Sequence, residues 1–359
     1  MTPVSVAPTT EHRNRSAVPM AAAVLPVVLP LGLLAVAAVA GLALGARTVD
    51  PTTALRTLTA MLSGQPLPGG IDAAAVASRV PRTVTAALVG SSLAVAGACL
   101  QGATRNPLGD PGLLGLSGGA SLAMAIGLAL GVPASAPATL GLAALGTAGA
   151  AALVYACASA ATRIGGTPGA PSPIALVLAG AAVTAGTTAV TTALLVLSPA
   201  VRDRLRFWSI GTVARAELSE ALLLAPVILA AVLAAIAVGS GLDALALGED
   251  LAHGLGSRPG HVRAVLLAAV VVLTAAAVAL AGPVAFVGLV VPHALRRLRP
   301  QGARMLLCGS ALWGAVLVIV ADLLGRTVVA PGEVHLGVTT VLIGVPVLLV
   351  LLRRTGVAA

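Results

Sequence analysis

The fold is constrained most by a succession of apolar runs, each close to twenty residues long, in which hydrophobic side chains do not alternate with polar ones. A helix rises about 1.5 Å per residue, so such a run is long enough to cross a hydrocarbon core of roughly 30 Å. The strands of a membrane β-barrel are shorter and alternate, which excludes a barrel. Only 9% of the residues are charged. The sequence therefore predicts an all-α integral membrane protein.

The run lengths predict about ten transmembrane helices in one domain from residue 20 to residue 354. The predicted segments are 20–44, 80–104, 113–132, 137–160, 174–197, 220–238, 262–281, 283–296, 303–325 and 336–352. A continuous helix over 262–297 would be too long for the membrane, and Gly282 with Pro283 supplies a break. The piece after the break is short enough to be re-entrant, so its crossing stays open. Residues 45–78 carry turn signals and are predicted to form a long external connection.

Residues 1–19 are polar and are predicted to form a disordered tail. Arg13 and Arg15 precede the first span and favour a cytoplasmic tail, because positive charge is retained on that side. An even number of spans returns the C-terminus to the same side. We therefore expect a multi-pass protein of the cytoplasmic (inner) membrane with both termini in the cytoplasm.

The net charge of +9 depends on arginine alone, because the chain contains no lysine. The arginines stand mostly at the ends of apolar runs, which is typical of topology signals and not of a nucleic-acid surface. A phosphate-binding P-loop requires a lysine, so this chain is not itself a P-loop ATPase. Cys99, Cys157 and Cys308 all lie in apolar runs and predict neither a disulfide framework nor a metal site. No cofactor is expected.

Two arginines, Arg79 and Arg82, flank Pro81 at the predicted external start of the second span. They are three residues apart and share one helix face. Arg326 closes the ninth span on the same side, and Asp322 precedes it in the i,i+4 order that favours an ion pair. These arginines are either interface residues with a helix-end ion pair, or docking points for an acidic partner outside the membrane.

Residues 239–261 form the largest polar insertion on the predicted cytoplasmic side. Leucines recur there at helical spacing, which predicts one or two short amphipathic helices outside the bilayer. This segment is either a loop on the membrane surface or a coupling helix that seats in a groove of a soluble partner.

Ionisable side chains are absent from the middle of the predicted spans, which counts against an ion-coupled secondary carrier. The histidines are too dispersed for a metal site, and His293 is predicted to be a helix-end or structural residue. Prolines at 107 and 111 end one helix and precede the next, with Asn106 and Asp110 suited to the turn.

Four blocks of this sequence are distinctive. They are RVPR at 79–82; the segments 97–101, 106–108, 110–111 and 114–120; AGPVAFVGLVVPH at 281–293; and GVT at 337–339 with GVP at 344–346. Together they resemble the membrane subunits of binding-protein-dependent ABC importers for iron–siderophore complexes, haem and cobalamin, the FecCD type. Asp322 and Arg326 also match. The resemblance departs at Leu295-Arg296-Arg297, where the family usually has one arginine, and it leaves open which of the two corresponds.

The resemblance implies a type II ABC importer permease: ten helices per subunit, two subunits around a central pathway and two ATPase subunits beneath. It implies that Arg79, Arg82 and Arg326 receive glutamates from a periplasmic or lipid-anchored solute-binding protein. The coupling helix on the ATPase would comprise Leu247, Gly248, Glu249, Asp250, Leu251, Ala252, Leu255 and Gly256. A cytoplasmic gate would lie near Ser172, Pro173 and Ile174. The family's structural motif matches Gln101, Asn106, Pro107, Asp110, Pro111, Gly282, Pro283, Pro292, His293 and Asp322.

We therefore predict a permease subunit, not an enzyme, that passes a ferric siderophore inward with ATP hydrolysed by a partner. Cobalamin or haem is the alternative substrate within the same family. An ion-coupled secondary carrier is a remoter alternative, and a structural membrane scaffold ranks last. The sequence does not distinguish a homodimer from a heterodimer with a related permease.

Overall fold

The architecture is taken from a computed structural model that describes residues 20–45, 47–107, 109–112, 114–133, 135–164, 171–298, 302–330 and 332–353. The predicted tail at 1–19 lies outside the described residues, as does the end of the predicted domain at Arg354.

The described residues form fourteen α-helices and no strand. Their bounds are α1 (Met20–Ala43), α2 (Pro51–Leu62), α3 (Ile71–Thr104), α4 (Leu116–Ala129), α5 (Ala136–Ile164), α6 (Pro173–Leu197), α7 (Pro199–Trp208), α8 (Leu218–Ala237), α9 (Gly239–Ala246), α10 (Glu249–Gly254), α11 (Pro259–Ala281), α12 (Val287–Arg297), α13 (Ala303–Thr327) and α14 (Leu336–Arg353). The all-helical prediction is confirmed.

Six of the described helices are long and apolar enough to cross a membrane, namely α3, α5, α6, α8, α11 and α13. Three others contribute shorter apolar stretches, at Val27–Ala43, Leu116–Ala129 and Leu336–Val350. α12 has 11 residues and is the shortest of the helices that correspond to predicted spans. Each of the ten predicted segments thus corresponds to a helix, while the number that cross the bilayer stays a prediction.

α3 is longer than the span predicted at 80–104, because it begins at Ile71 and has 34 residues. At 1.5 Å per residue it is about 51 Å long and extends beyond a hydrocarbon core of about 30 Å. Arg79 and Arg82 therefore lie two to three turns inside the helix and not at its start, as the sequence had suggested. The alanine-rich stretch before Arg79 favours helix, and Asp72 in the first turn suits the helix dipole.

α3 is also the centre of the bundle, where it packs against α1, α8, α11, α12 and α13. Glycines allow the backbones to approach: a Cβ on Gly97 would lie 1.9 Å from the carbonyl oxygen of Gly288 in α12. A Cβ on Gly90 would lie 2.1 Å from the carbonyl oxygen of Gly314 in α13. Small residues at helix contacts are typical of membrane bundles. A second group, α4 to α6, joins the first through contacts of α11 with α4 and α5.

The predicted break after residue 281 is confirmed. α11 ends at Ala281, and Gly282 adopts a φ of 72° that glycine tolerates at no steric cost. The carbonyl of Ala281 accepts a 2.7 Å hydrogen bond from the amide of Thr212. α12 is about 16 Å long at 1.5 Å per residue, and most of its residues are buried among its neighbours.

Candidate functional site

The two ends of the bundle hold the predicted functional residues. The arginine end is defined by Arg79, Arg82 and Arg326, and the loop end by the helices α9 and α10. The sequence-predicted residues are brought together within each end, and the length of the helices separates the two sets.

Arg79 ties the end of α1 to α3. Its side chain is buried, and its Nη1 donates to the carbonyls of Leu42 at 2.8 Å and Ala43 at 3.0 Å. Its Nη2 donates to the carbonyl of Arg47 at 2.6 Å. The last carbonyls of a helix have no partner within the helix, and a cation there also complements the helix dipole. Arg79 therefore caps the C-terminal end of α1.

Arg326, on α13, also bonds to the C-terminal end of α1. It is 3% exposed, and its Nη2 donates to the carbonyl of Gly41 at 2.7 Å. Its Nε lies 3.4 Å from the Oδ2 of Asp322, so the predicted i,i+4 ion pair is present. Arg79 and Arg326 are distant in sequence, and both thus donate hydrogen bonds to carbonyls at the C-terminal end of α1.

Arg82 is shared between two acids of different exposure. Its Nε lies 2.8 Å and 3.0 Å from the carboxylate oxygens of Asp322, which is 3% exposed. Its Nη1 lies 3.1 Å and 3.0 Å from the carboxylate oxygens of Glu333, whose side chain is 45% exposed. Because Asp322 faces both Arg82 and Arg326, it compensates two guanidinium groups that would be costly to bury alone.

Sequence reasoning missed Glu333. A signal was available, because Glu333 is the last acidic residue of the chain and lies on the connection that follows Arg326. In the predicted topology this connection is on the same side as the three arginines. Glu333 is the more exposed of the two acids that pair with Arg82.

The loop end contains the two short amphipathic helices that the sequence predicted. Leu242, Leu245 and Ala252 are buried against the bundle. Leu247, Leu251 and Leu255 are exposed by 60% to 67%. Such a group of exposed leucines is typical of a surface that contacts another protein or a membrane.

Glycines shape the ends of α10. Gly248 has a φ of 117° and Gly256 a φ of 76°, a region that other residues rarely adopt. Asp250 is exposed beside the leucine face, and the side chain of Glu249 lies outside the described residues.

α9 is anchored to the bundle by side-chain contacts. The Oδ1 of Asp243 accepts a 2.8 Å hydrogen bond from the amide of Ala303, the first residue of α13. Arg105, at the end of α3, donates to the carbonyl of Leu245. A displacement of α9 would therefore act directly on α3 and α13.

Gln101, near the end of α3, joins that helix to α12. Its Nε2 donates to the carbonyl of Gly288 at 3.1 Å, and its Oε1 accepts from Arg296. Arg296 thus bonds to a residue of this motif. The Oδ1 of Asp110 accepts from the amide of Gly112 at 2.8 Å, which closes the turn.

The remaining motif residues take structural positions in the same region. Pro111 and Pro292 are buried, His293 is half-buried on α12, and Asn106 and Pro107 lie in the turn that follows α3.

The predicted gate residues lie at the start of α6. The Oγ of Ser172 accepts a 3.1 Å hydrogen bond from the amide of Ala175, so Ser172 caps the helix. Ile174 is exposed, and the side chain of Pro173 lies outside the described residues. Their role as a gate stays a prediction.

Comparison with known proteins places these features in context. The sequence profile of the FecCD transport family matches residues 33–354. The ferric enterobactin transport system permease protein FepD of Escherichia coli K12 is 38% identical over 323 residues, which cover 90% of this chain and 93% of FepD.

Other relatives are named for different substrates. The hemin transport system permease protein HmuU of Yersinia pestis is 38% identical, and the alignment covers 77% of this chain and 82% of HmuU. The cobalamin import system permease protein BtuC of Halobacterium salinarum is 37% identical, and the alignment covers 78% of this chain and 73% of BtuC. A solved structure of a metal-chelate type ABC transporter in an inward-facing conformation aligns with a TM-score of 0.76 at 24% identity, covering 92% of this chain and 98% of that one.

Proposed function

The chain belongs to the FecCD transport family, and we propose that it is the permease subunit of an ABC importer that passes a ferric siderophore inward. Members of this family are ABC transporter permeases and not themselves enzymes. The choice of a ferric siderophore is supported by the relative named for ferric enterobactin, which aligns with 90% of this chain. Relatives named for hemin and cobalamin align with 77% and 78%, so haem and cobalamin remain the alternative substrates.

The observation that supports ATP coupling best is the exposed leucine face of α9 and α10. The chain has no lysine and hence no P-loop, so in this proposal ATP would be hydrolysed by a separate ATPase subunit. Leu247, Leu251 and Leu255 would enter a groove of that subunit, as the apolar face of a helix does in other helix-groove contacts. The hydrogen bonds of α9 to α3 and α13 would then transmit the movement of the ATPase to the bundle.

The test is a pull-down of the detergent-solubilised permease with its ATPase, together with uptake of radiolabelled ferric siderophore. Leu251→Arg places a charge in the leucine face and is expected to abolish both the co-purification of the ATPase and the uptake of the siderophore. Leu62→Arg is the matched control, because Leu62 is an exposed leucine at the other end of the molecule, on α2. If the Leu251→Arg variant still takes up the siderophore, and this uptake follows an ion gradient, the result would favour an ion-coupled secondary carrier instead.

The arginine end is proposed as the docking surface for a solute-binding protein. Arg82 would receive an acidic side chain of that protein, because its partner Glu333 is exposed enough to be exchanged. Arg79 and Arg326 would shape the same surface while they hold the end of α1. Arg82→Glu is expected to weaken association with the binding protein and to reduce uptake. Arg47→Glu is the control, because Arg47 is an exposed arginine of the same end that pairs with Asp72.

These two roles define the proposed orientation. The loop end would face the cytoplasm with both termini, and the arginine end would face outward from the cytoplasmic membrane. A second permease subunit, identical or related, would complete the pathway. Labelling of single cysteines at Ser63 and at Asp250 with a membrane-impermeant maleimide in intact cells checks this arrangement, since only the former should react.

A further inference from the structure

A cavity of about 520 Å³ opens between helices close to the loop end, and its lining is separate from both proposed functional surfaces. It is enclosed by the end of α3, the starts of α4, α6 and α11, and the adjoining part of α5. α5 and α11 are both long and apolar enough to cross a membrane, so we expect most of the cavity to lie at membrane depth. Its volume falls in the range of about 300–1,000 Å³ that is common for ligand pockets.

The shape of the cavity follows from small side chains on two facing helices. Ala148 and Ala152 are one turn apart on α5, and Ala264 and Ala268 are one turn apart on α11. All four alanines line the cavity and are exposed, although α5 and α11 contact each other. The helices thus leave a narrow apolar groove between them that no described side chain fills.

Charge is distributed unevenly around this groove. Arg263 lines it near the start of α11, and Tyr155 adds a hydroxyl on α5. No acidic residue belongs to the described lining, and the first turns of α6 and α11 carry none either. Arg263 therefore gives the mouth of the groove a positive charge. Arg163 in the last turn of α5 and Arg258 at the N-cap position of α11 lie near the same end but do not line the groove.

We propose that this groove binds one acyl chain of an anionic phospholipid, with the lipid phosphate at Arg263. An apolar slot at membrane depth with a cationic mouth matches both parts of such a lipid, and basic pockets between membrane helices are known to hold anionic headgroups. Pro171 and Leu176 extend the lining to the start of α6. A bound lipid would therefore contact the helix end at which the gate is predicted, and it would set the separation of α6 from α11.

The test uses the full chain in nanodiscs of phosphatidylcholine that contain a trace of lipid with a photoactivatable group in one acyl chain. The labelled lipid is either phosphatidylglycerol or phosphatidylcholine, and adducts are located by mass spectrometry of peptides. We expect adducts on residues 148–155 and 264–271, with phosphatidylglycerol preferred by about fivefold, the ratio expected for one arginine near the lipid surface. Arg263→Gln should remove this preference, and Ala152→Phe combined with Ala268→Phe should remove the adducts.

Matched variants separate the groove from general surface effects. Arg163→Gln removes an arginine near the same end that does not line the groove, and it should keep the preference. Ala230→Phe adds an aromatic ring at an exposed alanine of α8 and should keep the adducts. Because Ala152 and Ala268 are exposed, phenylalanine there meets no packed core, and thermal unfolding verifies that the variants fold.

Three results would overturn the proposal. Adducts confined to the outer faces of the helices would show that no lipid enters the groove. An equal loss of preference in Arg163→Gln and Arg263→Gln would reduce the effect to general surface charge. Protection of the groove together with cross-links between two copies of α5 would show that a second permease subunit covers it. None of these readouts depends on transport, so the proposed function can fail or hold independently.

Discussion

At the scale of single residues, the three arginines that the sequence singled out differ in what they contact. Arg79 and Arg326 donate to main-chain carbonyls near the end of α1, whereas Arg82 contacts only carboxylates among the contacts described. The sequence could predict the Asp322–Arg326 pair because its spacing is local. It could not predict that Arg79 reaches Leu42, 37 residues away, because that contact depends on how α1 packs.

Arg79→Gln is expected to lower the free energy of unfolding by about 2 kcal/mol, because the side chain makes buried charged hydrogen bonds to several carbonyls. Unfolding of the purified protein in detergent measures this. Arg47→Gln should cost less than about 1 kcal/mol, because its pair with Asp72 is exposed. Equal effects of the two substitutions would contradict the capping role of Arg79.

Asp322→Asn is expected to destabilise the protein by about 3–5 kcal/mol, because it removes the buried carboxylate that faces Arg82 and Arg326. Glu333→Gln removes a carboxylate from the same cluster, but at an exposed position, and should cost less than about 1 kcal/mol. Thermal unfolding of both variants provides the comparison. A larger loss in Glu333→Gln would show that the exposed acid, and not the buried one, holds the cluster.

At the scale of helices, hydropathy was enough to locate a helix for each of the ten predicted spans. The break at Gly282 and the two short helices of the loop end were also predictable, because glycine, proline and leucine spacing mark them. α2 and α7 were missed because their polar residues do not stand out in an apolar scan. The first turns of α3 were missed because Arg79 and Arg82 indicate, in the sequence, the start of the span. α7 nevertheless has a local start signal, because Ser198 caps it and Pro199 follows.

Gly97→Ala tests the close packing of α3 on α12. The new methyl group would lie 1.9 Å from the carbonyl oxygen of Gly288, so the two backbones must separate, and we expect a large fall in thermal stability. Gly149→Ala is the control within another span. Its Cβ meets nothing within 4 Å, so replacing a mid-helix glycine should be neutral or stabilise by about 0.5–1 kcal/mol. Comparable melting temperatures for the two variants would contradict the close contact.

At the scale of the whole molecule, α13 connects the two candidate surfaces. It begins at Ala303, whose amide bonds to Asp243 of α9, and it carries Asp322 and Arg326 near its other end. Its 25 residues span about 37 Å at 1.5 Å per residue, so it is long enough to link the loop end to the arginine end. This link depends on a hydrogen bond between distant segments and was not predictable from sequence.

Asp243→Asn is expected to separate ATP hydrolysis from transport. The amide side chain is a weaker acceptor for the amide of Ala303, so movements of α9 would reach α13 less effectively. Reconstitution with the ATPase and binding protein should show hydrolysis close to the unmodified rate and a severalfold lower uptake. Parallel losses of hydrolysis and uptake would indicate instead that Asp243 only supports assembly with the ATPase.

The closure of α1 by Arg79 and Arg326 also has a consequence for biosynthesis. α1 precedes the other described helices in the chain, yet one of the groups that hold its end is not made until residue 326. During translation Arg326 therefore cannot bond to the carbonyl of Gly41 until α13 has been made. The end of α1 would be among the last parts of the bundle to be fixed, and a nascent chain that stops before α13 would leave it open to the proteases that remove incomplete membrane proteins.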